Sequence, residues 1–263
     1  MNLQIRLERF RDRGIQELDC QILVLIEESA AALFDSFPDL FILFGGVTLV
    51  LFHDSPRLSR DLDLIVPPGY VPDYEEIQKV VRSAIQPIAE TLGLGQLEFR
   101  QDVAAPTLAK QWVLANQKPL FSIDLSTIGG TVLKSQIVKH IIAELPEKRV
   151  FAPNANYLLY QKCETFLNRR YPKARDAFDI HFLLSRGADL EKTLRPHLED
   201  FIAMKEFDRG FIEERIRSMT AKLCTVELRP VLPLSMFEEL AKADFASIRG
   251  SVRTIFSEWL EED

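Results

Sequence analysis

Apolar positions recur at helical spacing early in the chain. Leu18, Ile22, Leu25 and Ile26 share one face of a predicted helix over about 15–36, which the turn at Pro38 ends. The run FILF, 41–44, is short and continuously apolar, which predicts a buried strand, and it leads straight into Gly45 and Gly46. A short helix from Val47 to His53, a turn from Asp54 to Arg60 and a second strand from Asp61 to Val66 follow from the same reading. After the Pro67-Pro68-Gly69 break, Asp73 and Glu76 stand at capping-box spacing and open a helix to about Gly93, with Pro87 predicting a kink or interruption. Three strand-like segments come next: QLEFRQD at 96–102, KQWVLAN at 110–116 and LFSIDLS at 120–126. From about Asn154 the pattern is helical to the end, over 156–170, 173–185, 190–204, 208–223 and 235–260.

This order predicts an α/β (α+β) chain. A strand, helix, strand opening leads into a mixed sheet with flanking helices, and an all-helical C-terminal domain follows. The boundary falls near 150, giving domains 1–150 and 151–263. A length of 263 residues suits that division, since it exceeds what one small core needs. A composition 47% hydrophobic and 27% charged is that of a globular protein, and no apolar run approaches the ~20 residues that span a bilayer. The opening MNLQIRLERFRDRG alternates apolar and charged residues where a secretory signal needs a continuous apolar core, so a cytoplasmic location without membrane attachment is expected.

Charge and cysteine usage narrow the function classes. A net charge of −7 argues against nonspecific coating of nucleic acid, which needs a basic surface, while leaving room for a local basic groove. Cys20, Cys163 and Cys224 are scattered and odd in number, so they predict buried thiols, not a disulfide framework or a zinc site. His53, His140, His181 and His197 show no metal-ligand spacing, and His181 reads as a packed histidine in an apolar helix.

The candidate chemistry begins at residues 44–66. Alternation along a strand puts Asp61 and Asp63 on one face and Leu62, Leu64 and Val66 on the other. Two carboxylates roughly 7 Å apart repel by about 2 kcal/mol at an effective dielectric of 20, a cost that a divalent metal would remove. An isolated Asp-x-Asp is more often a solvated strand edge, but here a diglycine between strand and helix precedes it. Such a pair lets backbone approach a phosphate, with the helix N-terminus supplying N–H groups. Asp124 shares a face with Ser122 and Ser126 in LFSIDLS and supplies a third carboxylate. Three such oxygen donors suit two Mg²⁺ ions, which activate an attacking hydroxyl and stabilise leaving pyrophosphate. Lys162 and Arg169, seven apart, and Asp176 and Asp179, three apart, each pair on one helix face.

The run GG(x)14-D-L-D with the tail RLSRDLD resembles the polymerase-β-type nucleotidyltransferase superfamily. More narrowly, FGGVTLVLFHDSPRLSRDLDL is similar to the opening motif of the AbiEii/AbiGii toxin family, and NYLLYQKCETFLNRRYPKARDAFDIHFLL, 156–184, resembles that family's helical motif. The resemblance covers about 41–66, 119–126 and 156–184. It implies that Asp61 and Asp63 hold metal with a nucleoside triphosphate such as ATP, and that Asp124 completes the metal site and helps deprotonate the acceptor. It further implies that Gly45 and Gly46 cradle phosphates, that Lys162 reaches the triphosphate, and that Asp176 and Asp179 orient Lys162 or the acceptor. Arg57 and Ser59, in the turn before Asp61, are candidates for phosphate or acceptor contact. One position departs from the pattern. The family usually places a hydroxyl directly after the glycines, where this chain has Val47. Thr48 follows about 100° further round the helix and is not a like-for-like substitute.

The function so implied is Mg²⁺-dependent transfer of an NMP from an NTP to an acceptor hydroxyl with release of pyrophosphate, by a toxin of a bacterial toxin–antitoxin or phage-defence system. The acceptor would be the tRNA acceptor end, and the genetic partner a cognate antitoxin. Two other readings stay open: a small-molecule or protein acceptor for the same chemistry, and a degenerate nucleotide-binding module without turnover. Three retained acids, which without metal would only repel, argue against the last.

Overall fold

A computed structural model describes residues 3–70, 73–105, 108–127, 134–142, 145–190 and 193–260. The chain divides into two compact units, Met1–Pro153 and Asn154–Asp263.

In the first unit a short helix α1 (Leu3–Arg11) packs on the long helix α2 (Glu17–Ser36). The contact is partly ionic: Arg6, fully buried, donates to Glu27 at 2.9 Å and Glu28 at 2.7 Å, and Arg9 reaches Glu27 at 2.6 Å. Strand β1 (Ile42–Phe44), helix α3 (Gly45–Phe52), strand β2 (Asp61–Val66) and helix α4 (Tyr74–Thr91) follow. The Asp73 side chain caps α4 by accepting from the N–H groups of Glu75 and Glu76, at 3.0 and 3.2 Å. Pro87 lies inside α4, which continues past it as one helix, so the predicted interruption does not occur. Strands β3 (Leu97–Ala105), β4 (Leu108–Ala115) and β5 (Lys118–Thr127) complete a five-stranded sheet of order β1-β2-β5-β4-β3. The sheet is mixed: β2 runs parallel to β5, and the other neighbours are antiparallel.

The register of the central pair matters most. Asp61 stands level with Ser122, and Asp63 with Asp124. On the opposite face Leu62, Leu64, Phe121, Ile123, Leu125 and Val113 are buried, where α2 and α4 cover the sheet. A separate hairpin, β6 (Ile137–Ile142) with β7 (Leu145–Pro153), lies beside β1 and α2. The sequence pattern assigns neither this hairpin nor α1.

The second unit is helical in α5 (Ala155–Asn168), α6 (Ala174–Ser185), α7 (Arg195–Met204), α8 (Arg209–Arg217), α9 (Ala221–Leu228), α10 (Leu234–Lys242) and α11 (Ala246–Ile255). The predicted helices over 208–223 and 235–260 are each broken. Thr220 caps α9 by accepting from the Leu223 N–H, and Asp244 and Phe245 take left-handed backbone angles between α10 and α11. All three cysteines are free and buried, as expected. Among the described residues, no helix is long and apolar enough to cross a membrane.

Candidate active site

Gly45 opens α3 with φ +77°, in the left-handed region that favours glycine. Space is equally restrictive there, because a Cβ on Gly45 would collide with the Asp63 carboxylate, 2.8 Å from its Cγ. The pairing of β1 with β2 explains this approach, since it sets Phe44, the residue before the diglycine, opposite Asp63. A Cβ on Gly46 would meet the Arg57 guanidinium and lie 2.8 Å from Ser59 Oγ. The two glycines therefore let an acid on one side and a basic, hydroxyl-bearing turn on the other close onto one stretch of backbone. Arg57 is buried, with Nη1 donating to the Leu58 carbonyl at 3.1 Å. Phe44, the residue before α3, supplies no side-chain cap to the first N–H groups of the helix. Val47 and Thr48 both lie in the interior, and the Thr48 hydroxyl is buried with no hydrogen-bond partner. Neither side chain presents a polar group at the surface of the fold.

Asp61 and Asp124 share two partners. Ser122 Oγ donates to Asp61 Oδ1 at 2.7 Å and reaches Asp124 Oδ2 at 3.5 Å. Lys110 Nζ lies 2.8 Å from Asp124 Oδ2 and 3.5 Å from Asp61 Oδ1. Register again supplies the reason, because Asp63, Asp124, Lys110 and Asp102 form one row across four neighbouring strands, β2, β5, β4 and β3. Burial raises the Asp124 pKa, against the lowering effect of the Lys110 hydrogen bond and charge. Burial alone would lower Lys110, but the hydrogen bond and charge of Asp124 with the charge of Asp61 reverse that, so its pKa is raised. Both readings describe one tightly coupled, half-buried cluster. Arg60, next to Asp61, is tied to Asp19 on α2, with Nε 3.1 Å from Oδ1, which anchors the start of β2.

The donor set suits a hard divalent cation. Three carboxylates share one face, and Asp124 Oδ1 is buried without a hydrogen-bond partner. Among the described residues no three acidic, His or Cys side chains already stand gathered as a metal-binding group, and Lys110 fills the gap between Asp61 and Asp124. Sequence reasoning missed Lys110. Its signal was the polar face of KQWVLAN, where Lys110 and Trp112 alternate with buried Gln111 and Val113, but only the strand register reveals which acids that face meets.

The second unit gathers the other sequence candidates. Lys162 Nζ on α5 lies 2.8 Å from Asp179 Oδ2 and 3.7 Å from Asp176 Oδ1, both on α6. Arg169 Nε lies 2.7 Å from Asp176 Oδ2. Both aspartates are buried and the Lys162 side chain is only 12% exposed, whereas Arg169 is exposed, so the two acids are met by one largely buried lysine and one arginine at the surface.

Known structures share this architecture. A candidate nucleotidyltransferase from H. pylori is similar at TM-score 0.53 and 14% identity, over 95% of this chain and 100% of that one. JHP933 from Helicobacter pylori follows at 0.51 and 15%, over 93% and 96%. MenT4, a nucleotidyltransferase toxin from Mycobacterium tuberculosis H37Rv, gives 0.50 and 15%, over 100% and 91%. At such identities the likeness establishes the fold, that of nucleotidyltransferases. Residues 30–258 match the family described as nucleotidyl transferase AbiEii toxin, type IV TA system. The chain belongs to this AbiEii family. No curated protein matches it.

Proposed function

We propose that the chain transfers an NMP from a nucleoside triphosphate to an acceptor hydroxyl, releasing pyrophosphate, and that it does so as a toxin whose acceptor is the tRNA acceptor end. The observation that carries this reading is the register of β2 and β5, which sets Asp63 level with Asp124, and Asp61 one step along the same face, with the Asp63 carboxylate lying against the diglycine that opens α3. Asp61, Asp63 and Asp124 would hold Mg²⁺ in a two-ion arrangement. Bound there, the metal would supply positive charge to the phosphate oxygens and to the leaving pyrophosphate.

The remaining roles belong to the chain's own groups. The backbone N–H groups at Gly45 and Gly46 bind phosphate oxygens, with Arg57 and Ser59 flanking them. Thr48, interior in this structure, is left out of this contact. Asp124 takes the acceptor's proton. The freed oxygen attacks the α-phosphorus, and the bond from that phosphorus to pyrophosphate breaks, the leaving group keeping the electron pair. For Lys162, with Asp176 and Asp179 beside it in the helical unit, a part in handling the triphosphate rests on the family resemblance alone.

The test incubates purified protein with each labelled NTP, Mg²⁺ and total bacterial RNA, and follows label in RNA, protein and small products. Label is expected in tRNA, and Asp63→Asn should lower its incorporation on the order of 100-fold or more. Label in protein or a small molecule would move the acceptor to another class. No transfer to any acceptor would leave only nucleotide binding, and transfer indifferent to Asp63→Asn would overturn the role given to the carboxylate face.

A further inference from the structure

Lys110 is held from three sides. Its ammonium lies 2.8 Å from Asp124 Oδ2 and 3.5 Å from Asp61 Oδ1, and it sits 4.8 Å from the centroid of the Trp112 ring. Trp112 is in turn fixed by its indole N–H, which donates to Asp102 Oδ2 at 2.9 Å. A cation bridging Asp61 and Asp124 would stand where the ammonium now stands, and like charges exclude one another at such a separation. Asp124 meanwhile keeps a second oxygen, Oδ1, buried and without a partner. The lysine thus satisfies half of a carboxylate whose other half remains available.

We propose that Lys110 is a built-in cation that holds the gap between Asp61 and Asp124 and competes with a divalent metal for it, so that this one side chain sets the metal affinity of the site. The inference rests on the metal-dependent reading of the three acids given above. Without metal, the ammonium offsets the repulsion between the carboxylates and keeps β5 and β2 correctly charged for folding. When a metal binds, Lys110 leaves the gap, and its flexible four-carbon stem allows that movement without a change in the sheet.

The experiment titrates Mn²⁺ calorimetrically into the full chain, as wild type, K110M, K110Q and K110R, without nucleotide. K110M and K110Q are expected to bind at least about tenfold more tightly than wild type, since a charge in direct contact with two ligand carboxylates is gone. K110R, which keeps the charge, should stay near wild type. Thermal melts supply a second readout: without metal K110M should melt below wild type, and Mn²⁺ should raise its melting temperature by the larger amount. Equal or weaker Mn²⁺ binding by both K110M and K110Q would overturn the role of Lys110 while leaving the metal site standing. Tightening by K110R as large as that by K110M would also overturn it, because side-chain size and not charge would then be responsible. No Mn²⁺ binding by any form would remove the metal-dependent reading and Lys110's role together.

Discussion

At the scale of single residues, the site depends on close approaches that few side chains allow. Gly45 combines a left-handed φ of +77° with the Asp63 carboxylate lying against its Cα, and these two constraints separate experimentally. Gly93 also has a positive φ, +74°, but a Cβ there would meet nothing within 4 Å. Gly93→Ala should therefore cost only the conformational penalty, about 1–2 kcal/mol, whereas Gly45→Ala should cost more and should also displace Asp63. Denaturant melts of both variants, with nucleotide transfer measured beside them, check this. Equal stability losses with transfer intact in Gly45→Ala would show that the Asp63 contact does not matter. Lys110 belongs to the same scale. Its type was visible in the sequence and its partners were not, because a lysine on a half-exposed strand carries no mark of what lies on the next strand.

At the scale of elements, α3 links the diglycine at its start to a histidine at its end. His53 follows α3 and packs edge-on to His140 of the β6/β7 hairpin, with ring centroids 5.7 Å apart, and Phe52 stacks on His140 at 4.4 Å. The Nε2 atoms of both histidines are buried without partners. Burial, followed by the charge of His140, lowers the His53 pKa to about 4, against weaker raising effects from the Pro153 backbone and Asp54, itself paired with Arg13. Burial lowers His140 as well. A depressed histidine pKa means that the unfolded chain takes up the proton first. The stability this pair contributes is then fully present above pH 6.5 and is lost as the pH falls towards 4. Urea melts of His53→Leu should vary less than wild type across that window, and identical pH dependence in the two proteins would show that His53 does not titrate with folding.

Element boundaries show how far local pattern reaches. The strands carrying the acids were legible because alternation and flanking turns agree. Helix α1 was not, because its fully buried Arg6 reads as a surface residue until Glu27 and Glu28 are brought beside it. Hairpin β6/β7 mixes exposed Ile141 with half-buried Lys148 and Arg149, which hides the period of two. The break at Asp244 and Phe245 carries neither Gly nor Pro to mark it.

At the scale of the whole molecule, the family assignment and the proposed acceptor lead to a cellular outcome. Expression of the chain should arrest bacterial growth, and Asp61→Ala should relieve the arrest while the protein accumulates to the same level. Growth curves with immunoblots measure both, and arrest that persists in Asp61→Ala would separate toxicity from the carboxylate face. The acidic balance of −7 is compatible with such a role because catalysis on one RNA end needs a local cationic contact, not a basic coat. In the helical unit, the buried acids Asp176 and Asp179 are each met by a cation, Lys162 from within and Arg169 from the exposed side, the condition under which ionised groups persist in an interior.

The sequence alone determined which strands and helices carry the acids and the family resemblance, since each depends on order and spacing along the chain. Only the tertiary structure decided that Asp63 rests on Gly45, that Thr48 faces inward and that Lys110 stands between Asp61 and Asp124. These are matters of strand register and burial, and a pairing between residues 14 or 49 positions apart leaves no trace in local pattern.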